Sequence, residues 1–323
     1  MVWTREDDLR HSYYHTVSLE HLEAAFDANG KPTAWLHRSV GPTLMALFMP
    51  DPKVESAIEI GMGLANVPFL VPNLRVENPE AAAHVRVGWY RSVSNIPHAF
   101  AVHSFVDELA HAAGRDPLEF MLELLGPPRQ IDPTELNDKW NHGEDPKLYP
   151  LDVGRLRRVA TTAAKAAGWG KPLAKGRGRG IAAHYSFVTY VAAVVEVAID
   201  AKGQLSIPRV DMAVDCGAVV NPDRVRSQME GACIMGLSNA LHGEISFKEG
   251  RVVQGNFNDF QLMRMHEAPK QINVHIIGGD YDKPLGGVGE PGVPPIAPAL
   301  GNAIFAATGK RLRALPMREG WKA

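Results

Sequence analysis

Turn signals divide this chain into hairpins and helices that follow one another without a regular strand-helix-strand repeat. Asn29-Gly30 separates two β-rich runs, 19–26 and 32–40, and predicts a hairpin with a type I′ turn, because both central residues of that turn need φ above zero. Two further runs, 191–199 and 205–214, predict a second hairpin. A doubly wound parallel sheet would need alternating strands and helices. The order of elements therefore predicts an α+β fold of mixed sheets and hairpins with packed helices.

Capping residues and apolar spacing place the helices between these hairpins. The predicted helices cover 99–113, a stretch starting at Pro117, 153–167 closed by Gly168, 222–241 opened by Asn221-Pro222, and 293–308. The opening residues read as a strand-like charged segment, and 171–180 reads as a flexible basic loop. Residues 127–150 are rich in Pro, Asp and Asn, which predicts a linker between a first α+β segment, 1–126, and a second, 151–323.

Composition excludes several classes of protein. Lys and Arg total 34 against 36 for Asp and Glu, a net charge of −2, which argues against a general nucleic-acid or membrane-surface binder. Two cysteines are too few for a thiolate metal site or an iron-sulfur cluster. No apolar run is long enough for a membrane span. No secretory signal pattern is present, so periplasm and cytoplasm both stay open, and the abrupt first residues read like the middle of a larger protein.

The most unusual segment is glycine-rich and surrounds one acid, Glu290. It reads Leu285-Gly286-Gly287-Val288-Gly289-Glu290-Pro291-Gly292-Val293-Pro294-Pro295. Its glycine spacing matches the dinucleotide-binding motif, but prolines crowd it and no acid follows about 20 residues later to bind a ribose. Glycines also allow a ligand to approach the main chain closely. Two interpretations remain from the residues alone: a ligand-binding loop with a functional carboxylate, or a tight turn with an exposed acid.

A second cluster lies at a predicted strand end, Asp215-Cys216-Gly217, followed by Asn221-Pro222. An oxygen or thiolate ligand site and a plain strand end with a helix N-cap both fit these residues, and the structural interpretation is favoured. No His-Glu-x-x-His and no Gly-x-Ser-x-Gly motif occurs, which disfavours a zinc protease and an α/β-hydrolase.

Together these segments closely resemble the molybdenum-binding subunit of the xanthine oxidase superfamily, of the isoquinoline 1-oxidoreductase and aldehyde dehydrogenase β-subunit type. The resemblance rests on Val2-Trp3-Thr4-Arg5-Glu6-Asp7-Asp8, Arg91-Ser92-Val93, Ser104-Phe105-Val106-Asp107-Glu108-Leu109, Ala113-Gly114-Arg115-Asp116-Pro117, Asp215-Cys216-Gly217, Asn221-Pro222, Gln228-Met229-Glu230-Gly231 and Gly287-Val288-Gly289-Glu290-Pro291. It covers nearly the whole chain. The family's Gly-Gln-Gly and Gly-Gly-Phe-Gly loops have no counterpart here, so the chain resembles only the C-terminal part of such a subunit.

The resemblance implies a molybdopterin-binding domain of the xanthine oxidase and aldehyde oxidase type, with roles for specific residues. Glu290 corresponds to the active-site base. The residues implied in cofactor binding are Tyr90, Arg91, Ser92, Gly287, Val288 and Gly289, with molybdenum held through its pterin rather than by protein ligands. The better-known xanthine oxidases have Arg-Gly-Phe-Gly where this chain has Arg91-Ser92-Val93-Ser94. The loss of that aromatic residue argues against purine specificity.

The resemblance also implies an activity and an assembly. It predicts oxidation of an aldehyde or N-heteroaromatic substrate with water-derived oxygen, using a molybdenum-pterin cofactor as molybdopterin or its cytosine dinucleotide form. The implied partners are an upstream molybdenum-binding half and an iron-sulfur subunit, with a cytochrome c subunit as an optional further one. A non-catalytic structural or assembly half of such a complex is the alternative. A nucleotide-binding dehydrogenase would rest on the glycine spacing alone.

Overall fold

The structure is a computed structural model that describes residues 1–279, 281 and 283–322. The α-helices in this part of the chain are α1 (Arg5–His11), α2 (Ala57–Ile60), α3 (Asn95–Ala112), α4 (Pro117–Leu125), α5 (Val153–Ala167), α6 (Pro222–Leu241) and α7 (Ile296–Thr308). The strands are β1 (Leu19–Phe26), β2 (Pro32–Val40), β3 (Asn73–Glu77), β4 (Gln130–Ile131), β5 (Leu151–Asp152), β6 (Arg177–Ser186), β7 (Thr189–Ile199), β8 (Leu205–Asp215), β9 (Phe247–Lys248), β10 (Arg251–Val252) and β11 (Ile272–Ile276).

A four-stranded sheet in the order β11-β8-β7-β6 carries helices on both faces. Strands β6, β7 and β8 are antiparallel neighbours, whereas β11 pairs with β8 in parallel. Alternate residues of β7 enter two different cores: Tyr190, Ala192 and Val194 pack with α5, and Val191 and Ala193 pack with α6 and α7. This alternation follows from the two-residue period of a strand. The mixed sheets with packed helices confirm the predicted fold class.

The predicted hairpin of β1 and β2 is present, and β3 joins its edge in parallel to β2. The predicted turn type is wrong, because Gly30 is left-handed at φ +75° and Asn29 is not. Asp27 Oδ1 instead accepts hydrogen bonds from the amides of Asn29 (2.8 Å) and Lys31 (2.9 Å). An Asp side chain thus organises a turn in which only one residue has positive φ.

Helices α5 and α6 have the predicted bounds, and Gly168 closes α5 with φ +66°. Two other predictions are wrong. The opening segment is helix α1, which begins with a capping box between Thr4 and Asp7. The supposed basic loop contributes its last four residues to strand β6.

The segment 127–150 contains β4 and two 3-10 turns, Pro133–Leu136 and Asn141–Gly143. Its Ile131 belongs to the same core as α5. The division into 1–126 and 151–323 stays a prediction. None of the helices in the described ranges combines the length and the apolar character needed to cross a bilayer.

Candidate active site

Glu290 lines an open pocket and is held there by Ser92, a residue of a distant segment. Its Oε1 accepts a hydrogen bond from the backbone N–H of Ser92 at 2.9 Å. Its main-chain oxygen accepts a second hydrogen bond, from Ser92 Oγ, at 2.6 Å. Ser92 is fully buried, while Glu290 is partly exposed. The two contacts fix the acid from its backbone and its carboxylate at once.

The backbone around Ser92 takes an uncommon conformation to make these contacts. Ser92 has φ +79° and Val93 has φ +50°, so two consecutive residues with side chains are left-handed. Such conformations cost about 1–3 kcal/mol each and persist only where surrounding contacts hold them. Hydrogen bonds from the Val93 amide to Tyr90 O (2.9 Å) and from the Asn95 amide to Ser92 O (3.1 Å) close the turn. The turn points the Ser92 amide at Glu290.

Arg91 connects this turn to the glycine-rich loop and to α6. Its Nε donates to Gly289 O at 2.6 Å, and its Nη2 donates to Gln228 O at 3.1 Å and Gln228 Oε1 at 3.0 Å. Burial lowers the pKa of Arg91, and attraction to Glu290 opposes that shift. Arg91 therefore sets a positive charge beside the acid.

Tyr90, the other residue predicted at this turn, donates its hydroxyl hydrogen bond to Asn239 Oδ1 at 3.1 Å. Its side chain keeps 37% of its surface exposed and lines the pocket. The structure thus brings together Tyr90, Arg91, Ser92 and Glu290, four residues for which the resemblance implies roles. Their part in binding a cofactor stays a prediction.

The positions of the glycine-rich loop require glycine for different structural reasons, and one of them does not require it. A Cβ at Gly286 would clash with the carbonyl oxygen of Val188, and one at Gly292 would lie 2.7 Å from Ala232 Cβ. Gly287 donates its amide to Phe187 O at 2.9 Å, and Val288 packs against the core that includes α6 and α7. Gly289 differs, because nothing lies within 4 Å of a Cβ placed there and its φ is not left-handed.

Sequence reasoning missed the aromatic wall of the pocket. Phe187 stands in the two-residue turn between β6 and β7, where both Phe187 (φ +51°) and Val188 (φ +52°) are left-handed. The Phe187 amide donates to the ring of His142 at 3.2 Å, and burial lowers the pKa of His142 to about 3. The sequence shows no Asn or Gly to mark this turn. The pocket is lined by Ile58, Met62, Trp89, Tyr90, Arg91, Val93, Trp140, Phe187 and Glu290.

The second cluster is structural, as favoured from the sequence. Asp215 is buried between Arg155, whose Nη2 lies 2.7 Å from its Oδ1, and Arg158. Burial raises the pKa of Asp215, but hydrogen bonds from the two guanidinium groups outweigh it and leave the pKa below its ordinary value. Burial raises the pKa of the Cys216 thiol. Across the described residues, no group of three or more His, Cys, Asp and Glu side chains is arranged to hold a metal ion.

The glycine spacing that matches the dinucleotide motif lies in a different context. Among the described residues from 277 to 295, none belongs to a strand, so no strand leads into the glycines. A Rossmann fingerprint requires a strand before and a helix after its glycines. The structure gives no support to a nucleotide-binding dehydrogenase at this loop.

The family model for a molybdopterin cofactor-binding domain matches residues 154–269. A nicotinate dehydrogenase subunit of Pseudomonas putida is 31% identical over 94% of this chain and 25% of its own length. The beta chain of isoquinoline 1-oxidoreductase from Brevundimonas diminuta is 30% identical over 98% of this chain and 38% of its own. The chain therefore spans well under half the length of these curated relatives.

Solved structures share the fold. Aldehyde oxidoreductase from Desulfovibrio gigas superposes with a TM-score of 0.75 at 14% identity, over 99% of this chain and 50% of that one. The family match, the relatives and this shared fold agree with each other. The chain carries a molybdopterin cofactor-binding domain and belongs to the xanthine oxidase family.

Proposed function

We propose that this chain supplies the catalytic base, Glu290, of a molybdenum-dependent oxidoreductase that oxidises an aldehyde or an N-heteroaromatic substrate. The observation that carries the proposal is a carboxylate that lines an open pocket while a buried backbone amide, from Ser92, anchors one of its oxygens. General-base catalysis needs a carboxylate fixed within hydrogen-bonding reach of its proton donor. An assembly-only role is not favoured, because the acid and its anchor are both in place.

The residues around Glu290 fit a bulky cofactor that approaches the main chain. Neither packing nor conformation within the chain requires glycine at Gly289, and a Cβ at Gly231 would meet only Arg91 Nη1, at 3.9 Å. Both positions therefore leave open space near Arg91. Tyr90, Arg91, Ser92 and the loop 287–289 would hold a molybdenum-pterin cofactor, as molybdopterin or its cytosine dinucleotide form. When bound, that cofactor would supply the two-electron redox chemistry.

The chain's own residues then have defined tasks. Glu290 takes a proton from a water-derived oxygen nucleophile, and the Ser92 N–H keeps the carboxylate in place as it does so. Phe187 and Trp140 line the same pocket, and aromatic side chains of this kind can pack against a flat substrate. Both substrate classes in the relatives' names, a ring nitrogen heterocycle and an aldehyde, can present a planar carbon there.

We propose partners for this chain because the relatives that it matches are named as subunits and extend beyond the matched region. Both cysteines are buried and unpaired, so iron-sulfur clusters would reside on a partner subunit that takes up the electrons. An upstream molybdenum-binding half would complete the cofactor site, since the relatives extend far beyond the matched region. A cytochrome c subunit is an optional final acceptor.

The test is the rate at which substrate reduces the complete enzyme, measured by stopped flow for wild type and Glu290→Gln. We expect the variant to lose about 10²- to 10⁴-fold in this step, because Gln keeps the Ser92 contact but cannot accept a proton. Metal and pterin content, measured on both proteins, should stay equal. Equal rates would show that the loop is merely structural.

A further inference from the structure

A buried line of polar side chains runs from the core to the turn that holds Glu290. Its members are His103, His184 and Asn95, each at most 6% exposed. His103 Nε2 lies 3.4 Å from His184 Nδ1, and His184 Nε2 lies 2.9 Å from Asn95 Oδ1. Asn95 Nδ2 then donates to Ser92 O at 3.1 Å. Residues up to 89 positions apart in the sequence thus form one connected path.

The chemistry of these groups gives the path a single direction. Ser92 O can only accept, so the Asn95 amide donates to it and presents its oxygen to His184. His184 Nε2 must therefore carry a hydrogen. Burial holds the pKa of His184 well below its ordinary value and lowers that of His103 to about 4, so both rings are neutral at pH 7. His184 Nδ1 is then an acceptor, and His103 Nε2 donates to it.

The other end of His103 supports this assignment. His103 Nδ1 is buried and has no hydrogen-bond partner among the described residues. A neutral ring that donates from Nε2 has a bare Nδ1, which needs no acceptor. Hydrogen bonds aligned in one direction polarise and strengthen one another in a medium of low dielectric.

We propose that Asn95 is a positioning residue for Glu290, which it acts on through the main chain of Ser92, with His184 fixing the orientation of the Asn95 amide. The backbone of Ser92 accepts from Asn95 at its carbonyl and donates to Glu290 at its amide. Two left-handed residues, Ser92 and Val93, need such outside support to keep that geometry. The inference rests on the proposed role of Glu290 as the base. It adds Asn95 as the residue that orients the Ser92 amide toward that base.

The test uses the full chain and needs no loaded enzyme. Amide hydrogen exchange at Ser92 is measured by NMR in wild type, Asn95→Leu, Glu290→Ala and the double variant. Glu290→Ala removes the oxygen that accepts from the Ser92 amide and should by itself raise the Ser92 exchange rate. We expect Asn95→Leu to raise that rate at least about tenfold, and Glu290→Ala to add little in the Asn95→Leu variant, because the Ser92 amide there no longer points at the acid. An unchanged Ser92 rate in Asn95→Leu would overturn the proposal.

A matched control separates positioning from general destabilisation. Asn141 is likewise buried, and its Nδ2 donates to Glu144 O (3.2 Å) and Tyr149 O (3.1 Å). Asn141→Leu should lower stability yet leave Ser92 exchange within about twofold of wild type after correction for global unfolding. An equal rise in both variants would make Asn95 merely structural.

A milder pair of variants covers the case in which Asn95→Leu does not fold. His184→Leu should raise Ser92 exchange, and His184→Gln should bring it back towards wild type, since a Gln amide can donate to Asn95 Oδ1. No difference between the two variants contradicts the proposal. Coupled exchange together with full activity of Glu290→Gln in the complete enzyme would overturn the proposed function and leave the positioning contact standing.

Discussion

Two carboxylates look alike as candidates in the sequence, since Asp215 and Glu290 each stand close to glycine near the start of a helix. In the structure Asp215 is buried and bound by two arginines, whereas Glu290 is held by one backbone amide and lines an open pocket. An acid whose hydrogen-bonding capacity is filled by cations stabilises the fold and has little left for chemistry. An acid anchored at one oxygen keeps its other side for a substrate. Asp215 and Glu290 therefore differ in the number and kind of their hydrogen-bond partners.

The largest difference should appear in stability. Asp215→Leu leaves Arg155 partly buried without its counter-charge, and breaking a buried ion pair from one side costs about 3–5 kcal/mol. Glu290→Gln keeps an oxygen that accepts from Ser92, so its unfolding free energy should change by less than about 1 kcal/mol. Urea unfolding of wild type and both variants at neutral pH measures this difference. Wild-type stability in Asp215→Leu would remove the contrast.

A pH series separates the two regions by their buried groups. The folded pKa of His103 is about 4, below the ordinary 6.5, so its contribution to stability is present above pH 6.5 and is lost as the pH falls towards 4. Between these pH values the unfolded chain binds a proton at His103 that the native state does not bind. From this residue alone we expect about 2 kcal/mol less unfolding free energy at pH 5 than at pH 8.

The Asp215 region responds in a lower window. Its lowered pKa contributes stability that is lost only as the pH falls below the ordinary Asp value of 3.8. Urea unfolding at pH values of about 8, 6.5 and 5, in wild type and His103→Gln, tests whether His103 causes the loss of stability above the Asp215 window. A slope across this range that is as steep in His103→Gln as in wild type would place the sensitivity elsewhere.

The smallest effect concerns the left-handed turn. Ser92→Ala loses the hydrogen bond from Oγ to Glu290 O, which is worth about 1 kcal/mol. Ser92→Gly loses the same bond but adopts φ +79° without a Cβ, so it should be more stable than Ser92→Ala by about 1 kcal/mol. Thermal and urea unfolding of the two variants decide. An alanine variant as stable as the glycine variant would show that the turn carries no strain.

Local signals in the sequence predict much of this fold. Gly168 closes α5 and Asn221-Pro222 starts α6, because caps satisfy orphan backbone groups within a few residues. The resemblance also points to the acid itself, Glu290. The helix ends are predictable because local interactions determine them, and Glu290 is predictable because it lies in a motif of the family.

The rest depends on contacts between distant segments. The first four residues of β6 read as a loop because Gly178 and Gly180 lack strand propensity, which the tertiary packing overrides. Phe187 joins the pocket through a turn without turn-forming residues. Asn95 and His184 meet across 89 positions, and no local pattern encodes that distance.

Two glycines of β6, Gly178 and Gly180, allow α7 to approach the sheet closely. A Cβ at Gly178 would collide with Ala303 O, and one at Gly180 with Ala299 O, so α7 rests on the bare main chain of the sheet. The loop that carries Glu290 runs directly into α7. The height of the acid above the sheet is thus set by backbone thickness rather than by side-chain size. A single methyl group at either glycine would therefore push α7 away from the sheet, and with it the loop that carries Glu290.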